Sequence, residues 1–278
     1  MTNQELQQST GCAMPEVHLD AERLVNLCAA SHELFGFDGV TFILNYFNEP
    51  AALGCSMNWG GPAELPVYTS HPWQHIEQAT IPADLLDRPP ISTYLEGLRI
   101  AKKRYGHEVA VLGKVMGPFS MAQVMHGVEN VMLGLTDNPE LIRQFLEICA
   151  SILARCAGAN MLSPQMYADI LLDVHKRMIA EIQGPTIMHI CGDITPLLDS
   201  LRQIGLHCFN FDWAIARRLM RERSKSSFRI MGNVNTTDLL TGSPDGTSRL
   251  WRGEDGILFK LTRSTGKACW SDFNPAGV

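Results

Sequence analysis

Two residues whose types and spacing suit metal chemistry stand in the segment TIMHICGD, where Ile190 separates His189 from Cys191. Side chains two apart on a strand point to the same face, so an imidazole and a thiolate can reach one metal ion if the chain bends beyond them. Gly192 allows that bend. Nitrogen and thiolate ligands suit zinc, which keeps one coordination position open in catalytic sites. Spacing alone leaves an alternative open, a structural histidine that donates to a carbonyl oxygen.

Polar residues also follow other apolar segments that we expect to be strands. The candidates are Glu49 after GVTFILN, Asp212 after LHCFNF and Asn233 after FRIM. Sites in parallel α/β folds gather at the carboxyl ends of strands, so these side chains are candidate site residues. Each has a plainer alternative. Asp212 could cap the next helix, Asn233 could shape a turn with Gly232, and Glu49 could face solvent.

Strand-like and helix-like segments alternate along most of the chain. Continuous apolar segments predict strands at 39–45, 108–115, 185–190, 206–211 and 228–234. Helices are predicted over 91–105, from Pro118, from Asp137 and Pro139, over 167–182, from Thr195 and after Asp212. Residues 46–80 lack a sustained period and are predicted to form one long loop. This alternation indicates a parallel sheet covered by helices, either a closed eight-fold barrel or an open doubly wound sheet.

Composition narrows the class of protein further. The chain has 278 residues, 45% apolar and 19% charged, which is typical of a globular fold. Its net charge is −6 and no basic run alternates with aromatic residues, so we expect no nucleic-acid partner. No apolar stretch long enough to span a membrane and no signal-peptide pattern occur, so we expect a cytoplasmic location and no membrane partner. The irregular spacing of the eight cysteines does not suggest disulfides.

Several longer segments resemble one known family. The segments MHICGDITPLLDSL, LHCFNFDW and IMGNVNTTDLL resemble the uroporphyrinogen decarboxylase superfamily, most closely its corrinoid-dependent methyltransferases of the methylcobamide:coenzyme M type. The segments TGCAMPEVHLDAERL, NEPAALGCSMNWGG and GPFSMAQVMHGVENVMLGLTDNPELI extend the resemblance over about residues 5–244. HICG is its most specific element, because decarboxylases proper usually lack the His-x-Cys pair.

The resemblance implies a (β/α)8 TIM barrel with zinc at its carboxyl-terminal mouth. Its ligands would be His189, Cys191 and a later cysteine. The zinc would hold a substrate thiol as a thiolate, which attacks a methyl group on the cobalt of a corrinoid carried by a separate protein. Other members move a methyl group from a small donor onto the cobalt. Glu49 matches an acidic position that acts as a ligand or site acid, and Asp212 and Asn233 match positions that line the mouth.

Both ends of the chain depart from the family pattern. Met1 lies about one strand later than expected, and the sequence after residue 244 has no family-like continuation, so we expect a barrel incomplete at its first and last strands. The predicted domains are a barrel over 1–244 and an aberrant tail over 245–278, which a frameshift would explain. Cys269 lies where the third zinc ligand would fall, in the unusual context KACW. The alternatives are a tetrapyrrole decarboxylase and a truncated, inactive family member.

Overall fold

The structure is a computed structural model of the chain. It describes residues 4–42, 47–62, 64–153, 167–182 and 184–233, together with the two-residue strands 260–261 and 268–269. Helices and parallel strands alternate through this part of the chain, which confirms the α/β class predicted from the apolar segments. Within these ranges no helix is long and apolar enough to cross a membrane.

The described helices pack largely on one another and in part against strands. In the described ranges they are α1 (Gln4–Thr10), α2 (Ala21–Phe35), α3 (Asn48–Ala52), α4 (Ile91–Tyr105), α5 (Pro118–His126), α6 (Val128–Asp137), α7 (Pro139–Ile152), α8 (Leu172–Glu181), α9 (Leu198–Leu201) and α10 (Arg217–Ser224). A π-helical turn over Tyr167–Leu171 leads into α8. The helices predicted over 91–105 and from Pro118 are confirmed.

The strands within the described residues are short and form four separate sheets through five pairings. They are β1 (Gly39–Thr41), β2 (Met57–Asn58), β3 (Val67–Tyr68), β4 (Ala110–Leu112), β5 (Ile187–Ile190), β6 (Cys208–Phe211), β7 (Arg229–Gly232), β8 (Lys260–Leu261) and β9 (Ala268–Cys269). β1 pairs in parallel with β4, and β5, β6 and β7 form a parallel sheet in that order. β2 with β3, and β8 with β9, pair antiparallel.

Asp137 and Thr195 were predicted to cap helices and do not, although α7 begins at Pro139 as predicted. Asn138, not Asp137, caps α7, because its side chain accepts a hydrogen bond from the Leu141 N–H at 3.2 Å. Thr195 is not a cap either. It lies inside a 3-10 turn that leads into α9, and its own N–H donates to Asp193 Oδ1 at 2.9 Å.

The prediction of one long loop over 46–80 was also wrong in part. This segment contains α3 and the β2–β3 hairpin, in which Met57 is opposite Tyr68 and Asn58 is opposite Val67. Both elements are too short to leave a periodic pattern in the sequence. Their consequence for the site is that Glu49 lies in the first turn of a helix rather than in an irregular loop.

Buried side chains fix the helix-facing side of the β5–β7 sheet. Met188 and Ile190 on β5, and Phe209 and Phe211 on β6, are all buried in one apolar cluster with α5, α7 and α8. The alternate residue His189 is exposed on the opposite face. Because side chains alternate along a strand, burial of one set of residues determines which residues the sheet presents on the other side.

Phe209→Ala should destabilise the fold strongly. The Phe209 ring is fully buried and lies 5.7 Å from the ring of Phe228, so its removal leaves a cavity. The expected loss is about 3–5 kcal/mol in the free energy of unfolding, measured by urea denaturation. Leu133→Ala, at a side chain that is 54% exposed, is the control and should stay within about 0.5 kcal/mol of the parent. Equal losses in the two variants would contradict the assignment of the core.

Candidate metal and methyl-transfer site

The His189 imidazole is held by one ring nitrogen and faces Cys191 with the other. Its Nδ1 lies 3.0 Å from the main-chain oxygen of Asn210, and its Nε2 lies 3.1 Å from Cys191 Sγ. A carbonyl oxygen can only accept, so the proton of the neutral ring belongs on Nδ1 and the lone pair on Nε2. The structural alternative, a histidine that donates to a carbonyl, therefore holds for Nδ1 and leaves Nε2 available as a ligand.

Strand pairing produces this geometry directly. His189 is opposite Asn210 in the parallel register of β5 and β6, so the ring reaches a carbonyl of the neighbouring strand. Cys191 follows the last residue of β5, and Gly192 has a φ of +75°, a conformation that glycine adopts at no steric cost. The bend predicted from Gly192 is thus present. Both His189 and Cys191 are exposed and accessible to a ligand.

Asp212 stabilises the bend from the end of β6. Its Oδ2 accepts from the Gly192 N–H at 2.9 Å, and its Oδ1 accepts from the Ala214 N–H at 3.1 Å. The Gly192 N–H, then the Ala214 N–H and nearby His189, hold the pKa of this carboxyl below its ordinary value. The alternative of a helix cap was wrong, because α10 begins at Arg217 with Ala216 before it. Asp212 instead joins the turns that follow two neighbouring strands.

Asn233 lies directly after β7, where its amide is engaged with the chain. Its Nδ2 donates to the Ile215 carbonyl oxygen at 2.7 Å. The preceding Gly232 has a φ of +115°, and a Cβ there would collide with the Phe211 carbonyl oxygen. Asn233 therefore fastens the turn after β6 to the end of β7, and its prediction as a catalytic residue stays a prediction.

Lys114 is a residue that the sequence analysis missed, and its pKa is influenced by both Glu49 and Cys191. Glu49 is 7% exposed. Burial lowers the pKa of Lys114 to about 8, while the negative charges of Glu49 and of Cys191 act in the opposite direction. Lys114 follows β4 by two residues, so the strand-end rule that selected Asp212 could also have selected it.

The described part of the chain brings together two donor atoms that suit zinc, His189 Nε2 and Cys191 Sγ. There, no cluster of three or more His, Cys, Asp and Glu side chains has the geometry of a metal site. Cys269 ends β9, and its side chain lies outside the described residues. An imidazole whose second nitrogen donates to a carbonyl is the usual form of a zinc-bound histidine, and an adjacent thiolate suits the same metal. The residues present therefore fit zinc as two of its ligands.

The chain is similar to several known methyltransferases. The chain is 26% identical to the methylated-thiol–coenzyme M methyltransferase of Methanosarcina mazei, over 96% of this chain and 77% of that protein. It is also 26% identical to the methylcobamide:CoM methyltransferase MtaA of Methanosarcina barkeri, over 86% of this chain and 77% of that protein. A solved methyltransferase from Methanosarcina mazei superposes with a TM-score of 0.79 at 26% identity, over 84% of this chain and 75% of that one.

These similarities confirm the resemblance seen in the sequence and the expectation of an enzyme of the methyltransferase type. A profile of the family described as uroporphyrinogen decarboxylase (URO-D) matches residues 1–251, most of the chain. The chain therefore belongs to the uroporphyrinogen decarboxylase family, in the branch that contains the methyltransferases.

Proposed function

We propose that the protein is a zinc-dependent methyltransferase that moves a methyl group between a corrinoid, carried by a partner protein, and a small thiol or other methyl donor. The observation that carries the proposal is the pair of donor atoms at the end of β5. His189 Nε2 and Cys191 Sγ lie 3.1 Å apart and are exposed, while Nδ1 is occupied by a carbonyl oxygen. The similarity to methyltransferases whose names include methylcobamide and coenzyme M supports the choice of reactants.

His189 and Cys191 would hold the zinc, with Glu49 or Cys269 as candidates for a further ligand. Bound zinc would stabilise a substrate thiol as its thiolate at neutral pH, as it lowers the pKa of a bound water. The residues of the chain have separate tasks around it. Asn210 fixes the imidazole through its carbonyl oxygen, and Asp212 holds the Gly192 turn that aims Cys191.

In this proposal the two parallel sheets each form part of the wall of a (β/α)8 TIM barrel. β1 with β4, and β5 with β6 and β7, pair in parallel and are joined through helices, as in barrels. Lys114, Cys191, Asp212 and Asn233 each follow a strand, so in such a barrel they would meet at its carboxyl-terminal mouth. In this proposal residues 1–244 form the barrel domain, and residues 245–278 form a separate tail.

The expected result of metal analysis is one zinc per chain, lost on His189→Ala. Removal of a ligand should weaken zinc binding by more than about 100-fold, because loss of an outer hydrogen-bond partner alone costs about 10–100-fold. His107→Ala, at an exposed histidine on the turn after α4, is the matched control and should bind zinc as the parent does. Competition with a chelator measures the affinity.

Methyl transfer from methylcobalamin to a panel of thiols tests the activity itself. We expect transfer by the zinc-loaded parent and its loss in His189→Ala. Decarboxylation of a tetrapyrrole without metal would instead favour the decarboxylase alternative. A folded chain with neither zinc nor either activity would favour the inactive family member.

Asp212→Ala should lower zinc affinity by about 10–100-fold without removing a ligand, because it frees the Gly192 N–H beside Cys191. Asp212→Asn keeps one acceptor oxygen, so its loss should be smaller. Asp137→Ala, at an exposed carboxylate at the end of α6, is the control. Unchanged zinc affinity in Asp212→Ala would show that the turn does not position the thiolate.

A further inference from the structure

Asn210 lies beside His189 on the face of the sheet that points away from the helices. The two residues are opposite each other in the parallel register of β5 and β6, and Met231 of β7 is opposite Asn210 on its other side. The residues that flank Asn210, Phe209 and Phe211, are buried against the helices, so Asn210 itself points to the other face. His189, Asn210 and Met231 therefore form one row across three strands, the His189 row.

The side-chain amide of Asn210 has hydrogen-bonding capacity that the described residues do not use. The main-chain oxygen of Asn210 lies 3.0 Å from His189 Nδ1, whereas neither amide atom has a hydrogen-bond partner in the described ranges. An asparagine amide offers two N–H donors and one carbonyl acceptor. Because Asn210 is half-buried rather than enclosed, a molecule that binds next to His189 can reach these groups.

Gly232 shows where the amide lies along the sheet. A Cβ at Gly232 would lie 3.5 Å from Asn210 Nδ2, so any side chain at that position would contact the amide. Gly232 is the last residue of β7, and the turn that carries Cys191 follows the last residue of the parallel strand β5. The amide nitrogen therefore lies toward the end of the sheet that also carries the His189 and Cys191 donor pair, and glycine leaves the amide uncovered.

Met231 ends the His189 row with an apolar side chain. It is half-buried, and it is not among the described residues that pack against the main apolar cluster, whereas its neighbour Ile230 is. A methionine side chain is unbranched and adapts to the shape of the group that it contacts. A small molecule lying along the row would thus meet the imidazole of His189, then a polar amide, then an apolar thioether.

We propose that Asn210 is a specificity-determining residue whose side-chain amide binds a polar group of the small thiol that takes part in methyl transfer. This inference rests on the proposed function and narrows its substrate class. Neighbouring strands lie about 4.7–4.9 Å apart, a distance that a chain of about two or three carbon atoms spans. The substrate is therefore a short thiol, or its methyl thioether, that carries an oxygen-containing polar group about two or three carbon atoms from sulfur.

Binding of two thiols of nearly equal size tests the proposal without turnover. 2-Mercaptoethanol and 1-propanethiol differ by a hydroxyl group in place of a methyl group, so the ratio of their Kd values measures the preference for the polar thiol. Calorimetry on the zinc-loaded, full-length protein should show that this preference falls by about 5-fold or more in Asn210→Leu, which keeps the size of the side chain and removes its hydrogen-bonding groups.

Two further variants make the binding result decisive. Asn210→Ala removes the same amide without adding a larger apolar group, and it should also lose the preference. Asn130→Leu, at an exposed asparagine on α6, is the matched control and should keep the parent ratio of Kd values. A parent ratio retained in both Asn210 variants would overturn the proposal.

The kinetics of methyl transfer supply a readout that a merely structural role would not move. With methylcobalamin as donor, Asn210→Leu should lower kcat/KM for 2-mercaptoethanol by about 5-fold or more relative to kcat/KM for 1-propanethiol. Equal losses for the two thiols, accompanied by a lower urea midpoint, would assign Asn210 a structural role and overturn the proposal. If the zinc-loaded parent neither binds a thiol nor transfers a methyl group, the proposed function fails and takes this inference with it. Transfer by the parent with an unchanged thiol preference in the Asn210 variants overturns this inference alone.

Discussion

The hydrogen bond between His189 Nδ1 and the Asn210 carbonyl oxygen is the interaction on which the site depends. It links two neighbouring parallel strands, determines which ring nitrogen carries the proton and turns Nε2 toward Cys191. It exists because the buried faces of β5 and β6 fix the register, so that Met188 and Phe209 point into the core together. A shift of one residue in the pairing would put His189 on the buried face and remove the donor pair.

Two charged residues, Asp212 and Lys114, interact with the turn that carries Cys191 or with Cys191 itself. Asp212 accepts hydrogen bonds from the N–H groups of Gly192 and Ala214 and so orders the turn that carries Cys191. Lys114 interacts with the charges of both Glu49 and Cys191. The Tyr94 hydroxyl donates a hydrogen bond to the Lys114 carbonyl oxygen. Metal ligands commonly depend on such supporting groups for their orientation. The side chains around the pair therefore come from segments that are distributed along the chain.

Sequence patterns were sufficient for the longer elements and failed where the structure is short. The strand that contains His189 was predicted from its continuous apolar residues, and the helix over 91–105 was predicted with the bounds that it has. α3 could not be, because five residues do not complete a pattern, and so Glu49 was assigned to a loop. The hydrogen bond between Asp212 and the Gly192 N–H could not be predicted, because the two residues are distant in sequence. Lys114 was missed because the predicted strand over 108–115 included it, whereas the observed strand ends at Leu112.

X-ray absorption at the zinc edge of the purified, full-length protein tests the central claim most directly. If His189 and Cys191 are ligands, the first coordination shell contains nitrogen at about 2.0–2.1 Å and sulfur at about 2.3 Å. The sulfur contribution should fall in Cys191→Ser and the imidazole contribution in His189→Ala. A shell of oxygen and nitrogen alone, unchanged in both variants, would contradict the assignment of this pair as a zinc site.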